Sequence, residues 1–287
     1  MKRPFTLLAC LLPLLIPPSC MGRRVLRVLP EGSLRTHYLV DYNYQEERDK
    51  LHATMGHLLV FNPGDAVARL QVTAYFEDRE PLALTRVVRA RATSEFNAAG
   101  LGLPVGRRFA LRVESDQPVI CQGTEGWTNT GNEYDTSAVT MSPRGPRETA
   151  KSSMSLTRLA RRWFVADGLV LETGGRHWIR ETEWALVLNP GADSAHVRLL
   201  LSQRNTQRTH DVTVPPYRLG ALEMVGIAAH NEHYGVEITS DVPVAAQWRR
   251  EVYWPGSDEL MAFWSVPAVP LAEPGREETA DNVPPAR

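Results

Sequence analysis

An all-β protein of two tandem antiparallel β-sandwich domains is the fold class this sequence predicts, on three observations. A hairpin frame is written twice, as Leu59-Val60-Phe61-Asn62-Pro63-Gly64 and again as Leu186-Val187-Leu188-Asn189-Pro190-Gly191. After each copy apolar residues fall at every second position, Ala68, Leu70, Val72, Ala74 and Phe76 in the first and Ala195, Val197, Leu199 and Leu201 in the second. That is the period of a half-buried strand. Short strand-like runs punctuated by Gly, Pro, Asn and Asp then recur along both halves with no amphipathic helix between them. Each unit is long enough to bury its own core, which separates this pattern from a solenoid.

The chain divides in order. Residues 1–20 carry Lys2 and Arg3, an apolar stretch over 5–16 and the ending Pro17-Pro18-Ser19-Cys20, and read as an export signal. The apolar stretch is too short for a comfortable membrane span. Cys20 is either lipidated, as in a bacterial lipoprotein, or lies beside a simple cleavage site. The expected location is therefore exported, periplasmic or at the cell surface, with membrane contact only through a lipid anchor at Cys20. Residues 21–35 are a lead-in, 36–142 the first sandwich, 143–162 a basic linker with a helical tendency from 155 to 162, 163–268 the second sandwich, and 269–287 a Pro- and Glu-rich disordered tail. Within the first unit strands are expected at Tyr38-Leu39-Val40-Asp41-Tyr42, at 56–61, at 85–89, at 109–113 and at Val119-Ile120-Cys121-Gln122, the last opened by the turn Ser115-Asp116-Gln117-Pro118. The second unit repeats them, with Ser240-Asp241-Val242-Pro243 as the matching turn.

The hairpin turns have their own expectation. Proline presets φ at Pro63 and Pro190, and Gly64 and Gly191 would supply the positive φ of a type II turn.

Composition bounds the function. With 287 residues, 43% apolar, 23% charged and a formal net charge of -1, the chain is an ordinary globular one and gives no electrostatic reason to expect nucleic acid. Cys10 leaves with the signal, so Cys121 is the one certain cysteine of the exported chain, a small buried strand residue, and no disulfide framework is expected. His230 and His233 flank a polar loop without a third ligand, and no phosphate loop, Gly-x-Ser-x-Gly elbow or His-Glu-x-x-His run is present, so neither cofactor nor metal is expected.

The residues Trp163-Phe164-Val165-Ala166-Asp167-Gly168, Val187-Leu188-Asn189-Pro190-Gly191 with Ala195, Val214-Pro215, Ser240-Asp241-Val242-Pro243-Val244 and the run Gln247-Trp248-Arg249-Arg250 carry a family resemblance. In their order and spacing the second unit, and more faintly the first, resembles the sensory rhodopsin transducer family. The resemblance implies a jelly-roll-like sandwich, association of four units, no catalysis, and a likeness to carbohydrate-binding modules. Two departures argue against a rhodopsin partner: the family's namesake is a single cytosolic unit, while this chain is doubled and carries an export signal.

Candidate sites follow from comparing the two units. Asp167 and Arg250, near the ends of the second, sit where exported relatives carry an acid and an arginine, and would most simply pair with each other. The first unit keeps the acid as Asp41 but has Glu125 in place of the arginine. Two carboxylates at one place need a cation or partner to stay charged, which leaves ligand binding open beside a structural pairing. The aromatics Trp127, Trp248, Tyr253 and Trp254 would suit a sugar or protein surface if exposed, and core packing if buried. The function expected is a non-enzymatic binding or assembly module whose first partner is a second copy of itself. An accessory signal transducer for a membrane receptor and a carbohydrate-binding or carbohydrate-active protein are the alternatives.

Overall fold

The computed structural model describes residues 34–46, 52–129, 147–171, 180–204, 206–229, 231–253 and 260–271. The export signal, Cys20, the lead-in up to residue 33, His230, Trp254 and the tail from residue 272 lie outside them. The first unit contains β1 (Thr36–Glu46), β2 (His52–Asn62), β3 (Ala68–Phe76), β4 (Leu82–Val88), β5 (Ala92–Asn97), β6 (Arg107–Ser115), β7 (Ile120–Asn129) and β8 (Arg147–Met154). The second contains β9 (Ala160–Leu169), β10 (Arg180–Asn189), β11 (Ala195–Gln203), β12 (Thr206–Val214), β13 (Arg218–Glu223), β14 (His233–Tyr253), β15 (Leu260–Pro267) and β16 (Val269–Pro270).

Each unit is an antiparallel sandwich. In the first, β4-β3-β6-β1 form one layer and β5-β2-β7-β8 the other, joined where the ends of β1 and β2 pair at Tyr44 to Met55. In the second, β12-β11-β14-β9 face β13-β10-β14-β15, and the long strand β14 serves both layers: its first half pairs with β11 and β9, its second with β10 and β15. The alternating residues named from sequence point inward as their period requires. Leu70, Val72 and Ala74 join Leu58, Val60 and Phe109 in one core, and Val197, Leu199 and Leu201 join Val187, Trp163 and Ile238 in the other.

The duplication extends to individual hydrogen bonds. Asp116 Oδ1 accepts from the Arg69 N–H at 2.8 Å, and Asp241 Oδ1 from the His196 N–H at 2.8 Å. Ser115 Oγ accepts from the Gln117 N–H, and Ser240 Oγ from the Val242 N–H. One pair of core residues is exchanged between the copies. In the first unit Tyr42 stacks on Phe109 at 5.5 Å and fills the space above Gly123. In the second the aromatic has moved to the other strand: Trp248 stands in the place of Gly123 and meets Tyr234 at 6.1 Å, while Tyr234 fills the space above Gly168, in the place of Tyr42. Volume is conserved and its donor strand is not.

Four expectations are corrected. Residues 147–154, expected within a basic linker, are strand β8, laddered to β7 from Gln122↔Met154 to Asn129↔Arg147. Nor is 155–162 helical: Leu156 bridges Tyr38 and β9 begins at Ala160. The hairpin turns are not type II, since neither Gly64 nor Gly191 has a positive φ. The asparagine side chain makes the turn instead: Asn62 Oδ1 accepts the Gly64 N–H at 3.0 Å and Asn189 Oδ1 the Gly191 N–H at 3.1 Å, an Asx turn that needs no left-handed glycine. The positive φ falls on Arg91 (53°) and Tyr217 (57°), whose N–H groups close on the Gly64 and Gly191 carbonyls. Finally, Ser240 to Pro243 does not end a strand. There β14 shifts register against β9 and passes from one layer to the other without a break.

The two sandwiches dock through faces that are not equivalent. Tyr38, Val40, Tyr75 and Ala110, on the outer face of β1, β3 and β6, bury against Leu186, Leu188, Leu219 and Ala245, on the outer face of β10, β13 and β14. The Val40 N–H donates to Gln247 Oε1 at 3.0 Å, and Arg108 lies over the Trp184 ring, 4.1 Å from its centroid.

Candidate functional site

The docking brings an arginine of the second unit into the acid pair of the first. Asp41 sits at an irregularity of β1, where the register with β6 shifts between Leu39 and Tyr42, and Glu125 lies in β7 opposite Gly56. Both are buried, and strand alternation along β14 aims Arg249 at them from the neighbouring sandwich. Its Nη1 donates to Asp41 Oδ1 and to Glu125 Oε1 and Oε2, each at 3.1 Å. Lys151 of β8 completes the arrangement, with Nζ on Asp41 Oδ2 and 3.0 Å from Glu125 Oε2. On its other side Arg249 Nε donates to Glu251 Oε1, whose second oxygen accepts from the Tyr253 hydroxyl at 2.6 Å. Arg249 is only 1% exposed and Lys151 8%.

Asp41 and Glu125 both accept from Arg249, and Lys151 is the second cation in contact with the two. Burial alone would push the Asp41 carboxyl up, but the charges of Arg249 and Lys151 outweigh it and hold it well below the carboxylate range. Burial likewise opposes ionisation of Glu251, and Arg249 with the Tyr253 hydroxyl overcomes it. Arg249 in turn is held far above its ordinary value because the surrounding carboxylates outweigh its desolvation. Of the basic residues over 143–162, Lys151 is buried in this cluster and Arg162 pairs with Glu237 at 2.7 Å.

Arg250 points the other way, into its own sandwich. Its Nε meets Glu183 Oε1 at 2.5 Å, while Glu183 Oε2 accepts from the Leu169 N–H at 2.8 Å and from the Tyr234 hydroxyl. Burial outweighs these partners and holds Glu183 above its ordinary value. The side chain of its expected partner, Asp167, lies outside the described residues. Sequence reasoning did not single out Arg249, Lys151, Glu183, Glu251 or Tyr234. Of the aromatic candidates, Trp248 is buried in the second core and Tyr253 is half-buried on Glu251; the side chains of Trp127 and Trp254 lie outside the described residues. Cys121 is free and buried, and burial pushes its thiol far up. Among the described residues no group of three or more His, Cys, Asp or Glu could hold a metal ion.

Acid should loosen the docking. Asp41 and Glu251 have folded pKa values below the ordinary 3.8 and 4.5, so their contribution is complete above those values and is lost as pH falls through the lower folded ones. Glu183 runs oppositely, its contribution complete below the ordinary value and lost as pH rises through the raised one. The urea midpoint of the soluble chain should therefore fall as pH drops below about 4, as measured by circular dichroism across a pH series.

The chemistry of the site is that of a closed, hydrogen-bonded charge cluster joining two copies of a β-sandwich, and the fold and site together define a duplicated sandwich protein. The chain belongs to the Anabaena sensory rhodopsin transducer family, whose model matches it twice, over residues 40–141 and 159–262. Among solved structures it is similar to Thermotoga maritima 1070, at 20% identity over 42% of this chain and 91% of that one, with a TM-score of 0.34. It is also similar to the Anabaena sensory rhodopsin transducer, at 21% identity over 31% of this chain and 85% of that one, with a TM-score of 0.28. No curated protein matches.

Proposed function

We propose that this is an exported, non-catalytic assembly module whose partner is a second copy of itself. The observation that supports it is the inequality of the two docked faces. A contact between non-equivalent faces leaves one of each kind uncovered, and such contacts either close into rings or run on as filaments. Among the described residues nothing is docked on the opposite face of the first unit, which carries Leu59, Phe61 and Ile120 at the positions that hold Leu186, Leu188 and Ala245 in the docked one. The uncovered face of the second carries Phe164 and Ala166 in the places of Tyr38 and Val40. Phe61 and Phe164 are each 38% exposed, apolar side chains kept on outer faces where strand alternation would allow polar ones. Two chains closing reciprocally give four sandwiches, the number the family resemblance implies.

Light scattering on the chain lacking residues 1–20 should give a two-chain particle, and Phe164→Arg should reduce it to a single chain with unchanged circular dichroism. A single chain at every concentration would contradict the reading. The family match also favours a second reading, an accessory transducer for a membrane receptor; co-purification of a membrane protein with the wild-type chain and not with Phe164→Arg would support it.

A further inference from the structure

We infer that His37 is an acid-sensitive latch: once protonated it lets go of Leu34 before β1 and of Ser155-Leu156, the segment that leads from the first sandwich into the second. A difference between the copies carries this. In the second unit Trp163, fully buried, donates its indole N–H to the Ala160 carbonyl at 3.0 Å and to the Val244 carbonyl at 3.1 Å. His37 stands in its place in the first. Its Nε2 lies 3.0 Å from the Leu34 carbonyl, three residues back as Ala160 is from Trp163, and the backbone of Val119, the counterpart of Val244, also bonds the ring. One pair of backbone groups is clasped by a ring that cannot take up a proton, the other by a ring that can.

The imidazole also makes a contact that an indole cannot. A carbonyl only accepts, so Nε2 carries the proton, and Nδ1 of the neutral ring accepts from the Ser155 hydroxyl at 2.8 Å. Beside that contact the Leu156 N–H donates to the Tyr38 carbonyl at 2.9 Å, the Tyr38 N–H to the Leu156 carbonyl at 2.7 Å, and the Ser155 N–H to the Cys121 carbonyl at 3.3 Å. The ring is buried, with Val113 of β6 opposite it. Among the described residues no carboxylate touches it. Glu114 of β6 pairs with Arg112, the Asp116 carboxylate accepts from the Arg69 N–H, Arg35 donates to the Asp116 carbonyl, and burial keeps the Cys121 thiol of β7 neutral. Burial is therefore the largest influence on the ring, the Leu34 and Val119 backbone groups do not offset it, and His37 titrates below its ordinary 6.5. The neutral ring's contribution is complete above that value and is lost as pH falls through the lower folded one. Protonated in place, it would be a charge in a dry site; opening the crossing gives it water. This window lies above that of the Asp41 and Glu251 carboxylates, so the two acid effects are separable.

The test is amide hydrogen exchange on the chain lacking residues 1–20, read as protection factors of the Tyr38 and Leu156 amides at about pH 7.5 and about pH 5, with the β11 amides of the second unit as reference. Wild type should lose protection at the crossing on acidification, roughly tenfold for each unit by which the clasped ring's value lies below the free one, while β11 keeps its own. His37→Gln keeps a donor for Leu34 and an acceptor for Ser155 but does not titrate, and should hold the crossing equally at both pH values. Ser155→Ala retains the titrating ring without its contact on the crossing, and should already be less protected at Leu156 at the higher pH. Unchanged protection in wild type would overturn the inference, as would an acid loss in His37→Gln equal to that of wild type. A loss shared equally by β11 would overturn it as a global destabilisation, and a Ser155→Ala chain as well protected as wild type at the higher pH would overturn it too.

Discussion

Replacing Arg249 with methionine should cost about 3–5 kcal/mol of unfolding free energy, the range for removing one partner of a buried ion pair. The side chain that would be lost is nearly inaccessible to water and donates to two carboxylates of the other sandwich and to one of its own. Methionine keeps the aliphatic stem of the side chain without its charge and leaves Lys151 as the cation in contact with both Asp41 and Glu125, so stranded charge makes up the larger part of the penalty. Because the charge sits between the sandwiches, urea unfolding should also divide into two steps. The neighbouring Arg250→Met is the control. It strands Glu183 within the second unit and should destabilise that unit while leaving the docking in place. Equal unfolding curves for the two variants would show that Arg249 is not the inter-unit tie.

Asn62→Ala and Asn189→Ala should each cost about 3 kcal/mol and agree with one another within about 1 kcal/mol, from the roughly 1–3 kcal/mol of leaving buried polar groups unpaired. Each amide ties its hairpin to a second turn. Asn62 Nδ2 donates to the Ala66, Val88 and Arg89 carbonyls, and Asn189 Nδ2 to those of Asp193, Val214 and Pro215. Both side chains are fully buried, so water cannot replace them. Denaturant midpoints of the two variants check this, and a loss below about 1 kcal/mol in either would show that the turn chemistry does not hold the sandwich.

These asparagines also mark how far the sequence could be read. The repeat, the strand period and the units of the fold were visible because each is local: a side chain's face follows from its place in an alternating run. The turn type was misread for a local reason too, since the Asn side chain supplies the hydrogen bond that the glycine was expected to allow by its φ. Strand β8 escaped notice because Arg147 to Met154 carries no apolar alternation; its inward residues include Lys151, which sequence alone assigns to water. The acid pair Asp41 and Glu125 was legible from aligning the copies. Their cation was not, because Arg249 and Arg250 are adjacent and alternation puts them on opposite faces. Nothing along the chain tells which face meets the other unit. That depends on docking, and Arg249 lies 208 residues from Asp41.

The most direct test of the docked arrangement is a double-mutant cycle between Arg249→Met and Glu125→Gln, read from urea unfolding of the soluble chain. A direct contact predicts a coupling energy of about 1–3 kcal/mol, with the second substitution costing far less once the first has been made. Additivity within about 0.5 kcal/mol, the behaviour of independent sites, would contradict the placement of Arg249 in the acid pair of the neighbouring sandwich.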